Sequence, residues 1–133
     1  QQGLVGRVAA VTAGAARIQL ITDPASSVNV RLEPSRAQAI LIGSITGELS
    51  LDMVPQSAEI KIGDLVLSSG LGGNYPSNIL IGQIVSVRQK ETDLFQSAAV
   101  QPVVDFSQLE IVLVIINFRP IDVSPLVPTP AAP

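Results

Sequence analysis

Residues 60–87 read IKIGDLVLSSGLGGNYPSNILIGQIVSV, and the rest of the chain is best read outward from them. Gly63-Asp64 marks a turn, because glycine tolerates positive φ and aspartate bonds its own backbone. Leu65, Val66 and Leu67 form a short apolar run that Ser68-Ser69-Gly70 ends. Leu71 to Asn78 then holds two glycines, two asparagines and a proline, the composition of a constrained loop. Ile79 to Val87 resumes as a strand carrying Gly82, and a glycine inside a strand marks a bulge or a barrel corner. Two strands joined by a tight loop on a sharply bent sheet suit a small β-barrel.

The flanks extend the same pattern. Upstream, Gly3 to Val11 reads as a strand, Ala13-Gly14-Ala15 as a turn, and Arg17 to Thr22 as a strand stopped by Asp23-Pro24. Val28, Val30 and Leu32 alternate with Asn29, Arg31 and Glu33, which predicts a half-buried strand. Gln38 to Ile45 is more uniformly apolar, as for a strand buried on both faces. Leu49, Leu51 and Met53 alternate with polar residues, so a hairpin turning near Thr46-Gly47 is expected. Downstream, Arg88 to Gln96 reads as an exposed turn, and Ser97 to Val104 as an edge or bulged strand because of Pro102. Asp105 can cap a single helical turn. Glu110 to Phe118 is the most hydrophobic run, expected as a buried closing strand. Pro120 to Pro133 has five prolines in fourteen residues and reads as an extended tail.

Composition narrows the function. The chain has 133 residues, 47% of them hydrophobic but only 3% aromatic, so its apolar mass is aliphatic and suits strands. A net charge of −3 and eight scattered Lys and Arg offer no concentrated basic face, which argues against nucleic acid. There is no cysteine and no histidine, which removes disulfides, thiolate metal sites and every Ser-His or Cys-His mechanism. No cofactor is expected. Leu65 to Val87 is uncharged and long enough to span a bilayer, but its four Gly, four Ser, two Asn, one Gln and one Pro rule out a membrane helix. No signal peptide is read at the N-terminus.

Several motifs in one order resemble the bacterial rod shape-determining family MreC, in its extracytoplasmic β-rich domain. They are Ile60-Lys61-Ile62-Gly63-Asp64, Ser68-Ser69-Gly70-Leu71-Gly72-Gly73, Tyr75-Pro76 and Ile81-Gly82-Gln83-Ile84. The likeness runs from Gly3-Leu4-Val5-Gly6-Arg7-Val8 through Leu20 to Pro24 and on to Glu110–Ile116. Ser69 and Tyr75 stand where the family would have Thr and commonly Phe.

The resemblance implies an all-β fold of two small β-barrel subdomains built from short, mostly antiparallel strands, with a Pro-rich C-terminal tail. We expect residues 3–45 plus 97–118 in the first subdomain, 46–96 in a second, inserted one, and 119–133 in the tail. The implied function is a non-catalytic scaffold of the rod complex, or elongasome, that maintains cell shape. It would self-associate as a dimer or filament and link MreB and MreD to wall-synthesising enzymes, notably a class B penicillin-binding transpeptidase and RodA. The implied location is the periplasmic or extracellular face of the cytoplasmic membrane. Anchorage would come only through an N-terminal helix that this sequence lacks, along with the family's coiled coil.

The candidate residues weigh as follows. Gly63, Asp64, Ser69, Gly70, Gly72, Gly73, Pro76 and Gly82 are a structural turn-and-loop signature. The glycines are no phosphate cradle, because a strand rather than a helix follows them. Ser68 or Ser69 as a nucleophile would define a small β-barrel hydrolase, but neither has a histidine or a Ser-x-x-Lys partner. A peptidoglycan-binding module is a further alternative, poorly served by one Tyr and three Phe. The scattered aspartates show no calcium-loop spacing. Tyr75 could be an exposed partner contact, since Tyr is enriched at interface hot spots, or could plug the mouth of its own barrel.

Overall fold

The computed structural model describes residues 3–73, 75–89, 94–109 and 112–116. It is built of strands: β1 (Gly6–Val11), β2 (Ala16–Leu20), β3 (Ser27–Glu33), β4 (Gln38–Ile42), β5 (Leu49–Pro55), β6 (Leu65–Ser68), β7 (Leu80–Arg88) and β8 (Phe95–Pro102). The one helical element among the described residues is the 3-10 turn Phe106–Gln108. Asp105 caps it, accepting from Ser107 N at 3.0 Å and Ser107 Oγ at 2.6 Å. Those two bonds, the hydroxyl's first, lower the Asp105 pKa from its ordinary value.

The all-β reading holds. Strands β3 to β8 close a barrel in the order β3-β4-β5-β8-β7-β6, every pair antiparallel, while β1 and β2 form a separate two-stranded hairpin. The barrel takes β3 and β4 from before residue 45, β5 to β7 from 46–96, and β8 from across the boundary at residues 96 and 97. It therefore crosses the division expected at residues 45 and 46. The physical reason is pairing: β3 bonds to β6 through Val30↔Ser68 and Leu32↔Val66, and β5 bonds to β8 through Leu49↔Val100.

The core is aliphatic. Val28, Val30, Leu32, Leu41, Leu49, Leu51, Val54, Val66, Ile81 and Ile84 point inward and are essentially fully buried. Each such side chain contributes about 1.5–3 kcal/mol relative to an exposed position. The alternation read in β3 is the one observed, with Val28, Val30 and Leu32 inside. Leu4 and Ile21, which flank the hairpin, and Tyr75, from the β6–β7 loop, belong to the same core.

Four expectations are corrected. Met53 is not the third inward residue of β5. A bulge between Leu51 and Val54 gives Met53 a φ of 62° and 45% exposure, and Val54 takes the buried place. β4 is not buried on both faces: Ala39 and Leu41 are inside, Ile40 and Ile42 half-buried, and Ile45 lies beyond the strand at 91% exposure. The polar 88–96 turn ends early, because Gln96 is buried in β8 with Nε2 donating to Pro55 O (3.0 Å) and Ala58 O (2.7 Å). β8 is not an edge, for it pairs with both β5 and β7. Pro102 is tolerated as its last residue, where no further ladder donor is required.

The expected closing strand at Glu110–Phe118 is also not seen. Residues 112–116 form no strand and are exposed, Leu113 at 87%. Glu110, Ile111, Asn117 and Phe118 lie outside the described residues, as does the tail 119–133.

Candidate functional site

The glycine-rich signature folds at the β6–β7 end of the barrel. Two residues of the loop carry its geometry. Ser68 closes β6 with its hydroxyl fully buried, donating to Pro76 O at 2.6 Å and accepting from Ile79 N at 3.0 Å. Its backbone adds Ser68 N to Ile79 O (2.9 Å) and Asn78 N to Ser68 O (2.7 Å). Ser69 is 7% exposed, and its Oγ accepts from Leu71 N at 3.2 Å. Both serines thus serve the backbone. The hydroxyl proton of Ser68 is committed to a carbonyl and its oxygen to an amide, which opposes a nucleophilic role for Ser68.

The turns demand glycine. Gly70, Gly72 and Gly73 sit at φ of 80°, 82° and 77°, and Gly73 N donates to Gly70 O at 3.3 Å. Asn78, at φ 66°, supplies the one positive-φ position filled by another residue type among the loop's described residues. Asparagine is the residue best suited to that conformation after glycine.

β3 braces this loop from the side. Ser69 N donates to Asn29 O (3.0 Å), Asn29 Nδ2 to Leu71 O (3.1 Å), and Arg31 Nη2 to Asn78 Oδ1 (2.6 Å). Arg31 Nε also meets Glu33 Oε1 at 2.8 Å, which holds the guanidinium in place. Asn29 and Arg31 occupy outward positions of β3, and sequence reading passed over them as solvent-facing. Their alternation with Val28, Val30 and Leu32 signals only that they point out of the barrel, not which loop they meet.

Tyr75 is 6% exposed and belongs to the same buried cluster as Leu4 and Ile21, so of the two roles weighed for it the ring is buried rather than presented on the surface. The ring needs an apolar seat, and the core cluster provides it. Burial raises the Tyr75 pKa above 10.0; the Ser26 hydroxyl and the Arg7 guanidinium act more weakly in the opposite sense. Ser26 Oγ is itself buried and reaches no partner at good hydrogen-bonding geometry. Pro76 is drawn in through its carbonyl, by Ser68.

Gly63, Asp64 and Gly82 lie elsewhere. Gly63 and Asp64 open β6 at its other end, about 13 Å from the loop at strand rise. They are tied to β7 through Gly63 N to Ile84 O (2.8 Å) and Ile84 N to Asp64 O (2.9 Å), and Asp64 Oδ2 accepts from Lys61 N at 2.9 Å. Gly82 is a close approach between strands. A Cβ there would meet Gln101 O at 2.1 Å. The contiguous sequence signature is therefore three separate structural devices on two strands. Among the described residues no group of three or more acidic residues is placed to hold a metal ion.

The surface has its own pattern. A closed barrel has no unpaired strand edge, so the open edges among the described residues belong to β1 and β2. That hairpin also exposes Val8, Val11 and Ile18. A shallow cavity of about 630 Å³ runs over the outer faces of β5, β7 and β8, past Ser50, Val85, Ser97 and Ala99.

Comparison with known proteins places this architecture. Residues 1–116 match the family model described as rod shape-determining protein MreC, barrel core. The cell shape-determining protein MreC of Haemophilus influenzae is 31% identical over 116 residues, covering 86% of this chain and 33% of that protein. The crystal structure of MreC from Pseudomonas aeruginosa superposes with a TM-score of 0.67 at 32% identity, over 77% of this chain and 68% of that one. A complex between penicillin-binding protein PBP2 and MreC from Helicobacter pylori gives 0.61 at 26% identity, over 75% and 66%. The chain spans about a third of the length of the curated relative from Haemophilus.

Proposed function

The chain belongs to the MreC family of rod shape-determining proteins, and from that premise we propose that it is a non-catalytic docking module of the wall-elongation machinery. Its direct partner would be a class B penicillin-binding transpeptidase. The observation that carries this reading is the Helicobacter relative, which shares the fold and is found in complex with PBP2. The candidate site supports it by what its hydroxyls do, since Ser68 and Ser69 are spent on backbone bonds. The hydrolase alternative is weakened on the same ground, because Ser68 is doubly bonded to backbone and Ser69 Oγ accepts from Leu71 N.

In the wider proposal this module self-associates and belongs to an assembly with MreB, MreD and RodA. It stands on the outer side of the cytoplasmic membrane, held by a helix in another part of the protein. No helix among the described residues is long and apolar enough to cross a membrane. A partner strand can add only where a sheet edge is open. The β1–β2 hairpin, with its apolar Val8, Val11 and Ile18, is therefore the docking face we favour.

The test is calorimetric titration of this chain into the extracytoplasmic part of the transpeptidase from the same organism. Saturable binding that Ile18→Asp abolishes supports the reading. Saturable binding that Ile18→Asp leaves intact moves the docking face off the hairpin, and no binding removes the transpeptidase as direct partner. Sedimentation velocity across a concentration series addresses self-association separately. Concentration-dependent dimers or polymers place it in these β-sheets, and a strict monomer places it outside them.

A further inference from the structure

The hairpin carries the open edges, yet it shares no ladder with the barrel among the described residues. Something other than strand pairing must set its attitude. Three kinds of contact reach across. Leu4 N donates to Leu80 O at 3.0 Å, and Ser44 N to Thr22 O at 3.2 Å. Gly43 lies so close to the Thr22 and Asp23 backbone that a Cβ would meet it at 2.4 Å. The third is apolar: Leu4 and Ile21 at the hairpin's base and Tyr75 on the barrel's loop are all buried members of one core cluster.

Tyr75 differs from the other two members in what holds it. Leu4 and Ile21 sit at the hairpin's base, Ile21 N bonded to Val5 O at 2.9 Å and Leu4 N to Leu80 O at 3.0 Å. Tyr75 rides on a loop fastened to the barrel by Ser68 Oγ, by Asn29 on both sides of the turn and by Arg31 at its far end. The loop is rigid where it joins the barrel and apolar where it faces the hairpin.

We propose that this glycine-rich loop is a bracket. It fixes the angle between hairpin and barrel by presenting the Tyr75 ring to Leu4 and Ile21, so that the hairpin's open edges and exposed valines face one direction. The ring does the holding, through packing area. The hydroxyl does not, for its neighbour Ser26 Oγ makes no bond of good geometry. The bracket stands whether or not the transpeptidase is the partner. Only its consequence, that a partner meets the hairpin at a set angle, rests on the docking reading.

The chain has no cysteine, so a pair of spin labels can be placed without background. Val11→Cys labels the hairpin and Ser50→Cys the outer face of β5, both at exposed positions. Pulsed electron spin resonance then reads the distance between them. With Tyr75 present, one narrow distance peak is expected. Tyr75→Phe keeps it, because the ring stays. Tyr75→Ala loses it to a broad distribution. Ser68→Ala, which frees the loop while leaving the tyrosine, broadens it to a lesser extent. Each variant is compared by β-sheet circular dichroism, so that loss of the barrel is told apart from loss of the angle. A Tyr75→Ala protein with an intact barrel and the original narrow peak overturns the bracket. So does a Tyr75→Phe protein that broadens as much as the alanine variant.

Discussion

Gly82→Ala adds one carbon to this protein at the place least able to receive it. The new Cβ would stand 2.1 Å from Gln101 O on the neighbouring strand. Ordinary van der Waals contact begins near 3.4 Å, so β7 and β8 must part by about 1.3 Å at that point. An open sheet could relieve this by sliding its outer strand away. Here β7 is bonded on its other side to β6, with Gly82 opposite Val66, and the ring of strands is closed. Relief must come from broken ladder bonds at Gly82↔Pro102 and Gln83↔Gln101 or from compression of the core around Ile81 and Ile84. Overpacking of this kind costs about 3 kcal/mol, a large share of the 5–15 kcal/mol typical of a small domain. The comparison that isolates the cause is Gly47→Ala. Its added carbon meets nothing within 4 Å, but its φ is +80°, so its penalty is conformational, about 1 kcal/mol. Urea unfolding followed by circular dichroism measures both. A midpoint for Gly82→Ala that falls no further than for Gly47→Ala would refute the steric argument, as long as the slopes agree.

Other substitutions test the site and core. Ser68→Ala removes a buried hydroxyl that both donates and accepts, stranding Pro76 O and Ile79 N; a loss of about 2 kcal/mol is expected in the same urea assay. Leu41→Ala empties a fully buried position and should cost about 2–5 kcal/mol, against a small effect for Leu113→Ala, which is 87% exposed. Met53→Gly should raise the unfolding free energy in the urea assay by a few tenths to about 1 kcal/mol, because glycine takes φ 62° without strain and the lost side chain is half-exposed. Tyr75 is the one tyrosine in a chain without tryptophan, so ultraviolet titration of tyrosinate reads it alone. Its midpoint is expected above 10.0 in the folded protein. The neutral form is the one burial favours, so the linked stability is fully present below pH 10 and is lost as pH rises through the raised folded value. A midpoint at or below the value of the urea-unfolded chain contradicts the buried seat.

Much of the barrel was legible because side-chain direction in a strand has period two. Val28, Val30 and Leu32 face one side and Asn29, Arg31 and Glu33 the other, so burial followed from pattern alone. Gly47 and Gly63 announced turns that glycine geometry favours. What was illegible has identifiable causes. Met53 continues a perfect alternation in sequence, and only the bulge against β8 turns it out. Pro102 looks like an edge signal, yet a proline at a strand's last residue satisfies the same constraint. Tyr75 was undecided between anchor and plug because the choice depends on Leu4 and Ile21, far away in the chain. The braces at Asn29 and Arg31 were hidden for the same reason: a polar residue on the outer face of a strand looks solvated until its loop partner is located.

The strand order β3-β4-β5-β8-β7-β6 bears on how the protein comes to be made. During synthesis β5 emerges well before the strand that covers one of its sides, and β7 waits for the same late arrival, β8. Until Pro102 has left the ribosome, the nascent chain carries two unpaired borders flanking an aliphatic interior. Such borders recruit whatever extended peptide is nearest. Ring closure is also non-local, so it is expected to be slow compared with the hairpin at the front of the chain. A chain halted between β7 and β8 would thus be a sticky, sheet-rich species needing chaperone protection. A few more residues of translation convert it into a ring with no border left to offer.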